Sequence, residues 1–274
     1  KHVPLGELIY LDRERCIRCG RCVRYCEEIV DDPVLAFHER GHSLQIITAS
    51  EPGFDSKFSG NTTDICPVGA LTTADFRFGG RPWELTNIPS ICPYCPVGCN
   101  IVLCTRLDRD AGGQTVIKRV MPRQNERVNE IWICDNGHSW HHFTTAPDRI
   151  AAPLVRRDGE LVEATWDEAL ETIVARLNAA KRAVGALAGP TLSNEDLWAL
   201  RRLLAGQGSQ KLGVWPADMT GGDLIAEVGL ASGSNFSDMG KGTCIVVIAS
   251  DLEEEAPMWW HRVKTAADRG ATLV

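Results

Sequence analysis

The most constraining feature of this sequence is the spacing of its cysteines. Eight of the eleven cysteines fall into two sets, each with three closely spaced members and one distant member. The two sets are Cys16, Cys19, Cys22 with Cys66, and Cys92, Cys95, Cys99 with Cys134. Proteins commonly hold a [4Fe–4S] cluster with three close thiolates and one remote thiolate. The sequence therefore predicts two [4Fe–4S] clusters and a role in electron transfer.

In the first set, Cys26 competes with Cys66 for the role of fourth ligand. Cys26 stands four residues after Cys22, where a two-cluster ferredoxin has the last cysteine of its run, but Glu27 replaces the proline expected next. Cys66 is followed by Pro67, and no second cysteine triple needs Cys26. We predict that Cys66 is the ligand. A zinc site is the alternative, although zinc sites usually combine CxxC with a second CxxC or a histidine pair.

The second set has the same arrangement of three close cysteines and one distant cysteine, with a wider spacing before its third cysteine. Zinc is again the alternative. Three histidines follow Cys134 and could also bind metal: His138, His141 and His142. Four cysteines already satisfy the site, so we predict that these histidines are polar residues after a loop.

The remaining three cysteines, Cys26, Cys104 and Cys244, are predicted to be small buried apolar residues. The chain starts at Lys1 and stops at Val274 within a predicted strand, so we expect a fragment of a longer protein.

Composition excludes several classes of protein. Hydrophobic residues make up 44%, which suffices for packed cores, and the net charge of −7 argues against nucleic acid and anionic lipid as partners. The sequence contains no run of about eighteen apolar residues, so we predict no direct membrane insertion. With no export signal visible, the cysteine spacing indicates metal or redox sites rather than structural disulfides.

Periodicity and turn residues divide the chain into three regions: 1–80 and 81–145, each with one cysteine set, and 146–274, with alternating strands and helices. The predicted strands are 8–11, 35–39, 44–48, 100–105, 115–120, 184–188, 243–249 and 271–274. The predicted helices are 22–29, one capped by Thr165, one from Ser193 to Gly206, and 253–268. The alternation in the third region predicts a parallel α/β sheet.

Several short segments carry a specific family resemblance. They include Leu11-Asp-Arg-Glu-Arg-Cys-Ile, Phe58-Ser-Gly-Asn, Asp64-Ile-Cys-Pro-Val-Gly-Ala-Leu and Val128-Asn-Glu-Ile-Trp-Ile-Cys-Asp. These segments resemble the large iron–sulfur subunit of bacterial respiratory complex I, NADH–quinone oxidoreductase, which is related to the mitochondrial 75 kDa subunit. The resemblance covers most of the chain and weakens after about residue 185.

The resemblance implies a fold class of α+β followed by α/β. A ferredoxin-like [4Fe–4S] domain would span 1–80, a [4Fe–4S] subdomain of molybdopterin-oxidoreductase type 81–145, and a truncated parallel α/β domain 146–274. The first cysteine set would bind a cluster in the main relay from flavin to quinone, and the second set an additional cluster off that line. The family's [2Fe–2S] and histidine-ligated [4Fe–4S] clusters would lie upstream.

The resemblance also implies an enzyme role only within the assembled, proton-translocating complex, with no molybdenum. The implied partners are peripheral-arm subunits, namely the flavin/NADH subunit and a two-cluster ferredoxin-like subunit. The implied location is the cytoplasmic face of the bacterial inner membrane.

A molybdopterin-dependent catalytic subunit of formate dehydrogenase type is the alternative. Such enzymes have a cysteine set similar to the second set of this chain, but they have a lysine where this chain has Asn136. They also offer cysteine or selenocysteine to molybdenum, whereas the segment around Asp218 contains neither, although Asp218 itself could coordinate.

Overall fold

The computed structural model describes residues 2–50, 53–109, 111–180, 183–189, 191–214, 235–248 and 250–274. They form two compact units, one of Lys1–His142 together with Gly233–Val274, the other of Phe143–Ser232. Among these residues, no helix has the length and apolar character needed to cross a membrane.

Short strands and short helices alternate through the first part of the first unit. In chain order they are β1 (His2–Pro4), β2 (Ile9–Asp12), α1 (Arg21–Arg24), a π-helix (Tyr25–Val30), β3 (Leu35–His38), β4 (Gln45–Thr48), α2 (Asn61–Ile65), β5 (Leu71–Thr73), β6 (Thr86–Ile91), β7 (Asn100–Asp108), β8 (Gln114–Pro122) and α3 (Asp135–Ser139). A 3-10 turn, Trp140–Thr145, follows α3.

The second unit contains β9 (Leu154–Arg157), β10 (Glu160–Glu163), α4 (Trp166–Ala179), β11 (Ala186–Ala188), α5 (Asn194–Gly206) and β12 (Leu212–Val214). The chain then returns to the first unit with β13 (Cys244–Ile245), α6 (Leu252–Glu255), α7 (Pro257–Asp268) and β14 (Thr272–Leu273).

Antiparallel sheets carry both cysteine sets. The strand order is β1-β2-β5 in one three-stranded sheet and β6-β7-β8 in another, while β3 and β4 form a separate pair. In β2, Ile9 and Leu11 are buried and the residues after each are only partly buried, which is the alternation of a half-buried strand. The predicted hairpin over 35–39 and 44–48 is confirmed, with Leu35 opposite Thr48.

The predicted starts of α4 and α5 are also confirmed. The Thr165 hydroxyl accepts a hydrogen bond from the Glu168 N–H (3.3 Å), and the Glu168 carboxylate accepts one from the Thr165 N–H (3.2 Å). Ser193 caps α5 by accepting from the Asp196 N–H (3.1 Å). These bonds satisfy backbone donors that the first turn of a helix leaves without partners.

Parallel pairing occurs twice in the described residues, between β11 and β12 and between β13 and β14, and these pairs belong to separate two-stranded sheets. The strand predicted over 243–249 is two residues long, and Ala249 lies outside the described residues. The helix predicted over 253–268 is interrupted at Ala256, because Pro257 lacks the N–H needed to continue it and instead begins α7.

The core of the first unit surrounds the cysteines. Ile9, Leu11, Phe58, Ile101 and Ile133 are almost fully buried beside them. The helix α7 packs onto this core: the Trp260 ring stacks on Phe58 with centroids 6.1 Å apart. The Arg262 side chain is fully buried, forms an ion pair with Glu130 and donates to the Glu126 carbonyl (2.8 Å).

Candidate iron–sulfur sites

The first cysteine set converges on one small cavity. Cys16 and Cys19 lie in the loop between β2 and α1, Cys22 lies in α1, and Cys66 directly follows α2. All four side chains line the cavity, together with apolar residues that include Ile46 and Leu71. The fold thus brings Cys66 close to the cysteine triple. This agrees with the prediction that the fourth cysteine comes from a distant part of the sequence.

The loop that carries the triple presents backbone N–H groups to sulfur. The Arg18 N–H donates to Cys16 Sγ (3.4 Å), and the Val23 N–H bonds to Cys22, where it offsets part of the rise in pKa that burial causes. Arg18 has a positive φ of 58°, and Gly20 one of 74°, so the loop is tightly wound. Such N–H···S bonds stabilise thiolates and tune the reduction potential of a cluster bound to them.

The Cys22 thiol of this site needs a metal to lose its proton near neutral pH. Burial, assisted by the neighbouring cysteines, raises the pKa of Cys22 to about 11. None of the described cysteines is in a disulfide. Four converging, unbridged thiols fit an iron–sulfur cluster, since metal binding releases the protons of such ligands.

Cys26 does not line the cavity. It is 2% exposed, and burial, followed by Cys22 and Asp32, raises its pKa to about 12. Cys104 is also buried, so the prediction of small buried residues is confirmed for both. It is wrong for Cys244, which is exposed because alternate residues from 244 to 248 lie on an uncovered face of the strand.

The second set is held by a loop between β6 and β7 and by the start of α3. The Cys92 N–H donates to the Cys99 carbonyl (2.8 Å), which closes the loop, and Gly98 has a φ of 64° that a residue with a side chain rarely adopts. Cys134 caps α3: its Sγ accepts from the Gly137 N–H (3.3 Å).

The four cysteines of the second set lie near one another, so their charges act on one another. Burial raises the pKa of Cys99 strongly, and the thiolates of the other three raise it further. Burial likewise raises the pKa of Cys134 to about 12, with contributions from Cys95 and Cys92. Burial also raises the pKa values of Cys92 and Cys95, and N–H bonds from Tyr94 and Val97, respectively, offset part of that rise. This set also fits an iron–sulfur cluster.

Polar side chains that the sequence analysis missed join the two sites. The Asp135 carboxylate accepts hydrogen bonds from the Ser59 N–H (3.1 Å), the Ser59 hydroxyl (2.5 Å) and the Gly60 N–H (2.7 Å). The Asn61 amide donates to the Ile133 carbonyl (2.7 Å) and accepts from the Ile133 N–H (3.2 Å). The segment before Cys66 is therefore bonded directly to the segment around Cys134.

Asn129 has a similar role within the second site. Its side chain is fully buried, accepts from the Asn100 N–H (2.9 Å) and donates to the Trp132 carbonyl (3.1 Å), so it links the strand after Cys99 to the approach to Cys134. Asn61, Asn129 and Asp135 all lie within the short segments that carry the family resemblance. Position beside a cysteine ligand was the signal that could have identified Asp135.

The prediction that the three histidines are polar residues after a loop needs correction for His138 and His141, which are largely buried. His138 Nδ1 lies 3.0 Å from the Val120 carbonyl, and Nε2 lies 3.8 Å from an Asp64 carboxylate oxygen. Burial lowers the pKa of His138 to about 4 and raises that of Asp64 to about 7. The His138 ring packs so closely on Gly60 that a Cβ there would lie 2.4 Å from it.

Comparison with known families agrees with this arrangement. Residues 6–72 match the ferredoxin-like domain of NADH-quinone oxidoreductase subunit 3. Residues 85–145 match the molybdopterin oxidoreductase Fe4S4 domain, and residues 149–274 match molybdopterin oxidoreductase.

Individual relatives match along nearly the whole chain. Subunit 3 of NADH-quinone oxidoreductase from Thermus thermophilus is 41% identical over 94% of this chain and 31% of its own length. The corresponding NADH-quinone oxidoreductase subunit from Streptomyces coelicolor is 35% identical over 97% of this chain and 33% of its own length. The mitochondrial 78 kDa subunit of NADH-ubiquinone oxidoreductase from Neurospora crassa is 38% identical over 85% of this chain and 30% of its own length. The chain spans about a third of the length of these relatives. Both of its cysteine sites fit iron–sulfur clusters. The chain therefore belongs, as a part of a longer subunit, to the family of the large iron–sulfur subunit of NADH–quinone oxidoreductase.

Proposed function

We propose that this chain is an electron-relay segment of NADH–quinone oxidoreductase, which passes electrons from the flavin site toward quinone. It would hold two [4Fe–4S] clusters, one on Cys16, Cys19, Cys22 and Cys66 and one on Cys92, Cys95, Cys99 and Cys134. The observation that carries the proposal is the convergence of Cys66 with the distant cysteine triple on one cavity. A bound cluster supplies one-electron oxidation and reduction.

The protein's own residues would hold the clusters, exclude water and tune their potentials. Apolar side chains such as Ile46 and Leu71 line the first site, and N–H groups of Arg18 and Val23 face sulfur there. Cys19 is exposed, so the edge of the first cluster would reach the surface and allow electron exchange with clusters of neighbouring subunits. The chain would take part in catalysis only as a subunit of the complex.

The whole protein's setting follows from the same proposal. The partners would be the flavin/NADH subunit and a two-cluster ferredoxin-like subunit of the peripheral arm, at the cytoplasmic face of the bacterial inner membrane. Residues 1–80, 81–145 and 146–274 would form the ferredoxin-like domain, the second [4Fe–4S] subdomain and part of a parallel α/β domain. The parallel pair β11–β12, within the second compact unit, supports parallel strand pairing in the last of these.

A molybdopterin-dependent dehydrogenase is less well supported. The match of residues 149–274 to molybdopterin oxidoreductase is its main support. Relatives that match nearly the whole chain are instead NADH-quinone oxidoreductase subunits. Asn136 occupies the position where the formate dehydrogenases carry lysine, and Asp218 lies outside the described residues.

The test is elemental analysis of the chain after anaerobic purification and dialysis against a chelator. About eight iron atoms and about eight acid-labile sulfides per chain are expected from two cubanes, with no molybdenum. One zinc ion per cysteine set and no sulfide would contradict the cluster assignment. Stoichiometric molybdenum together with formate-dependent dye reduction would favour the dehydrogenase.

A further inference from the structure

Three potential metal ligands that belong to neither cysteine set lie close together within the first unit. Asp75 lies just after β5, and His141 and His142 lie in the 3-10 turn after α3. One ligand atom from each of the three lies within 4.8 Å of the other two. Asp75 and His142 are 67 residues apart in sequence, so the fold rather than local spacing brings them together.

Hydrogen bonds orient two of these side chains. One oxygen of the Asp75 carboxylate accepts from the Phe76 N–H (2.7 Å), and the other lies 3.1 Å from His142 Nε2. His141 Nδ1 donates to the His138 carbonyl (3.1 Å), which places the lone pair of the neutral ring on Nε2. Metal-binding histidines and carboxylates are typically oriented by outer hydrogen bonds of this kind.

The spacing of the three side chains suits a metal ion. Zinc bonds of about 2.0–2.1 Å in tetrahedral geometry place ligand atoms about 3.3 Å apart. The separation of 3.1 Å between Asp75 and His142 already fits, and both of these side chains are exposed enough to adjust toward His141.

We propose that Asp75, His141 and His142 bind one divalent transition-metal ion, preferentially zinc, with water as the fourth ligand. Two imidazoles and one carboxylate favour zinc over magnesium or calcium, which prefer sites made only of oxygen. Asp75 and His142 also line a cavity of about 820 Å³, which gives an ion a path to the site.

The ion joins two parts of the first unit that carry different cysteine sets. Asp75 follows the strand β5, close in sequence to Cys66, whereas His141 and His142 follow the helix that Cys134 begins. The site uses no cysteine, so its occupation is independent of both clusters. Zinc binding at this position stabilises the junction between the two cluster regions.

The experiment is equilibrium dialysis of the cluster-containing chain against zinc chloride under anaerobic conditions, after removal of adventitious metal with a chelator. Zinc and iron are measured in the same sample. The wild-type chain should bind one zinc ion with no loss of iron. His142→Ala and Asp75→Asn should each weaken zinc binding at least about 100-fold, since each removes one of three protein ligands, and both change exposed side chains that the fold tolerates.

His38→Ala is the matched control, because His38 forms an exposed pair with Glu39 (3.9 Å) that has no second histidine. This variant should bind zinc as the wild type does, and zinc should raise the melting temperature of both but not of His142→Ala. Three results would each overturn the proposal: equal binding by wild type and His142→Ala, zinc uptake accompanied by loss of iron, or no zinc bound by the wild type.

Discussion

The two cysteine sites have the same number of ligands but different surroundings. At the first site Cys19 is exposed, Cys16 and Cys66 are partly buried, and neighbouring Ile17 is 60% exposed. At the second site Cys92, Cys99 and Cys134 are buried and Cys95 is partly buried. A cluster near the surface can exchange electrons with a partner, whereas a cluster enclosed by its own polypeptide also cross-links the segments that bind it. From this comparison we expect electron relay at the first site and stabilisation at the second.

The largest expected effect is loss of the first cluster. Cys66→Ala removes the ligand that closes the site, and we expect it to abolish the EPR signal of that cluster or convert it to a three-iron form. NADH–quinone turnover of the assembled complex should fall at least about 100-fold, or about 2.7 kcal/mol in barrier.

Cys26→Ala is the matched control for that experiment, since Cys26 is buried near the same loop but does not line the cavity. It should keep both the EPR signal and the turnover. The opposite pair of results would mean that the compact loop supplies all four ligands and that Cys66 has another role.

Cys95→Ser in the whole complex tests the other half of the comparison. A cluster that closes the chain between residues 92 and 134 acts as a cross-link, and cross-links over such loops stabilise by roughly 2–4 kcal/mol. The melting temperature should fall, while turnover normalised to bound flavin stays near the wild-type value. Unchanged stability with turnover reduced tenfold, about 1.4 kcal/mol in barrier, would put the second cluster on the electron path.

The bonds between the two sites allow a smaller and more specific perturbation. Asn61→Ala leaves the buried N–H and carbonyl of Ile133 without their side-chain partner, at a cost of about 2–3 kcal/mol. Asn87→Ala, at an exposed position of β6, is the control and should change stability by less than about 0.5 kcal/mol. Urea unfolding followed by cluster absorbance measures both. If the two variants unfold alike, the sites are not coupled through Asn61.

The sequence predicted the sites better than it predicted how they are joined. Local signals predicted the hairpin at residues 35–48 and the cap at Thr165, and the spacing of the cysteines predicted which of them converge at each site. The bonds of Asp135 to Ser59 and of Asn61 to Ile133 connect residues more than seventy positions apart. No periodicity marks such pairs, because their geometry depends on the packing of elements distant in sequence.

Errors in the prediction have the same origin. Cys244 lies in an apolar run that predicts a buried strand, yet only two residues pair with β14 and one face of the run stays uncovered. His138 was expected to be a polar loop residue, but its ring fills the space left by Gly60. In both cases burial is decided by which distant element covers the residue, and residue type alone does not contain that information.

The smallest effect concerns the packing of α7 beside the first site. His261 is 1% exposed, and its ring lies 5.7 Å from that of Phe58, near the segment that leads to Cys66. Burial, followed by Lys264 and Arg262, lowers the pKa of His261 from 6.5 to about 4. The unfolded chain therefore binds a proton on His261 between pH 6.5 and 4 when the folded chain does not, and stability must fall as the pH falls through that range.

Between pH 7.5 and pH 5 this group should contribute a loss of about 2 kcal/mol. His261→Gln removes the titration, so its stability should depend less steeply on pH than that of the wild type. The measurement is the melting temperature at several pH values, with cluster absorbance recorded alongside.

If the first site is the one that opens first, the absorbance of its cluster should decline before that of the second as the pH falls, and His261→Gln should delay that decline. Simultaneous loss of both clusters would show that their different exposure does not translate into different stability.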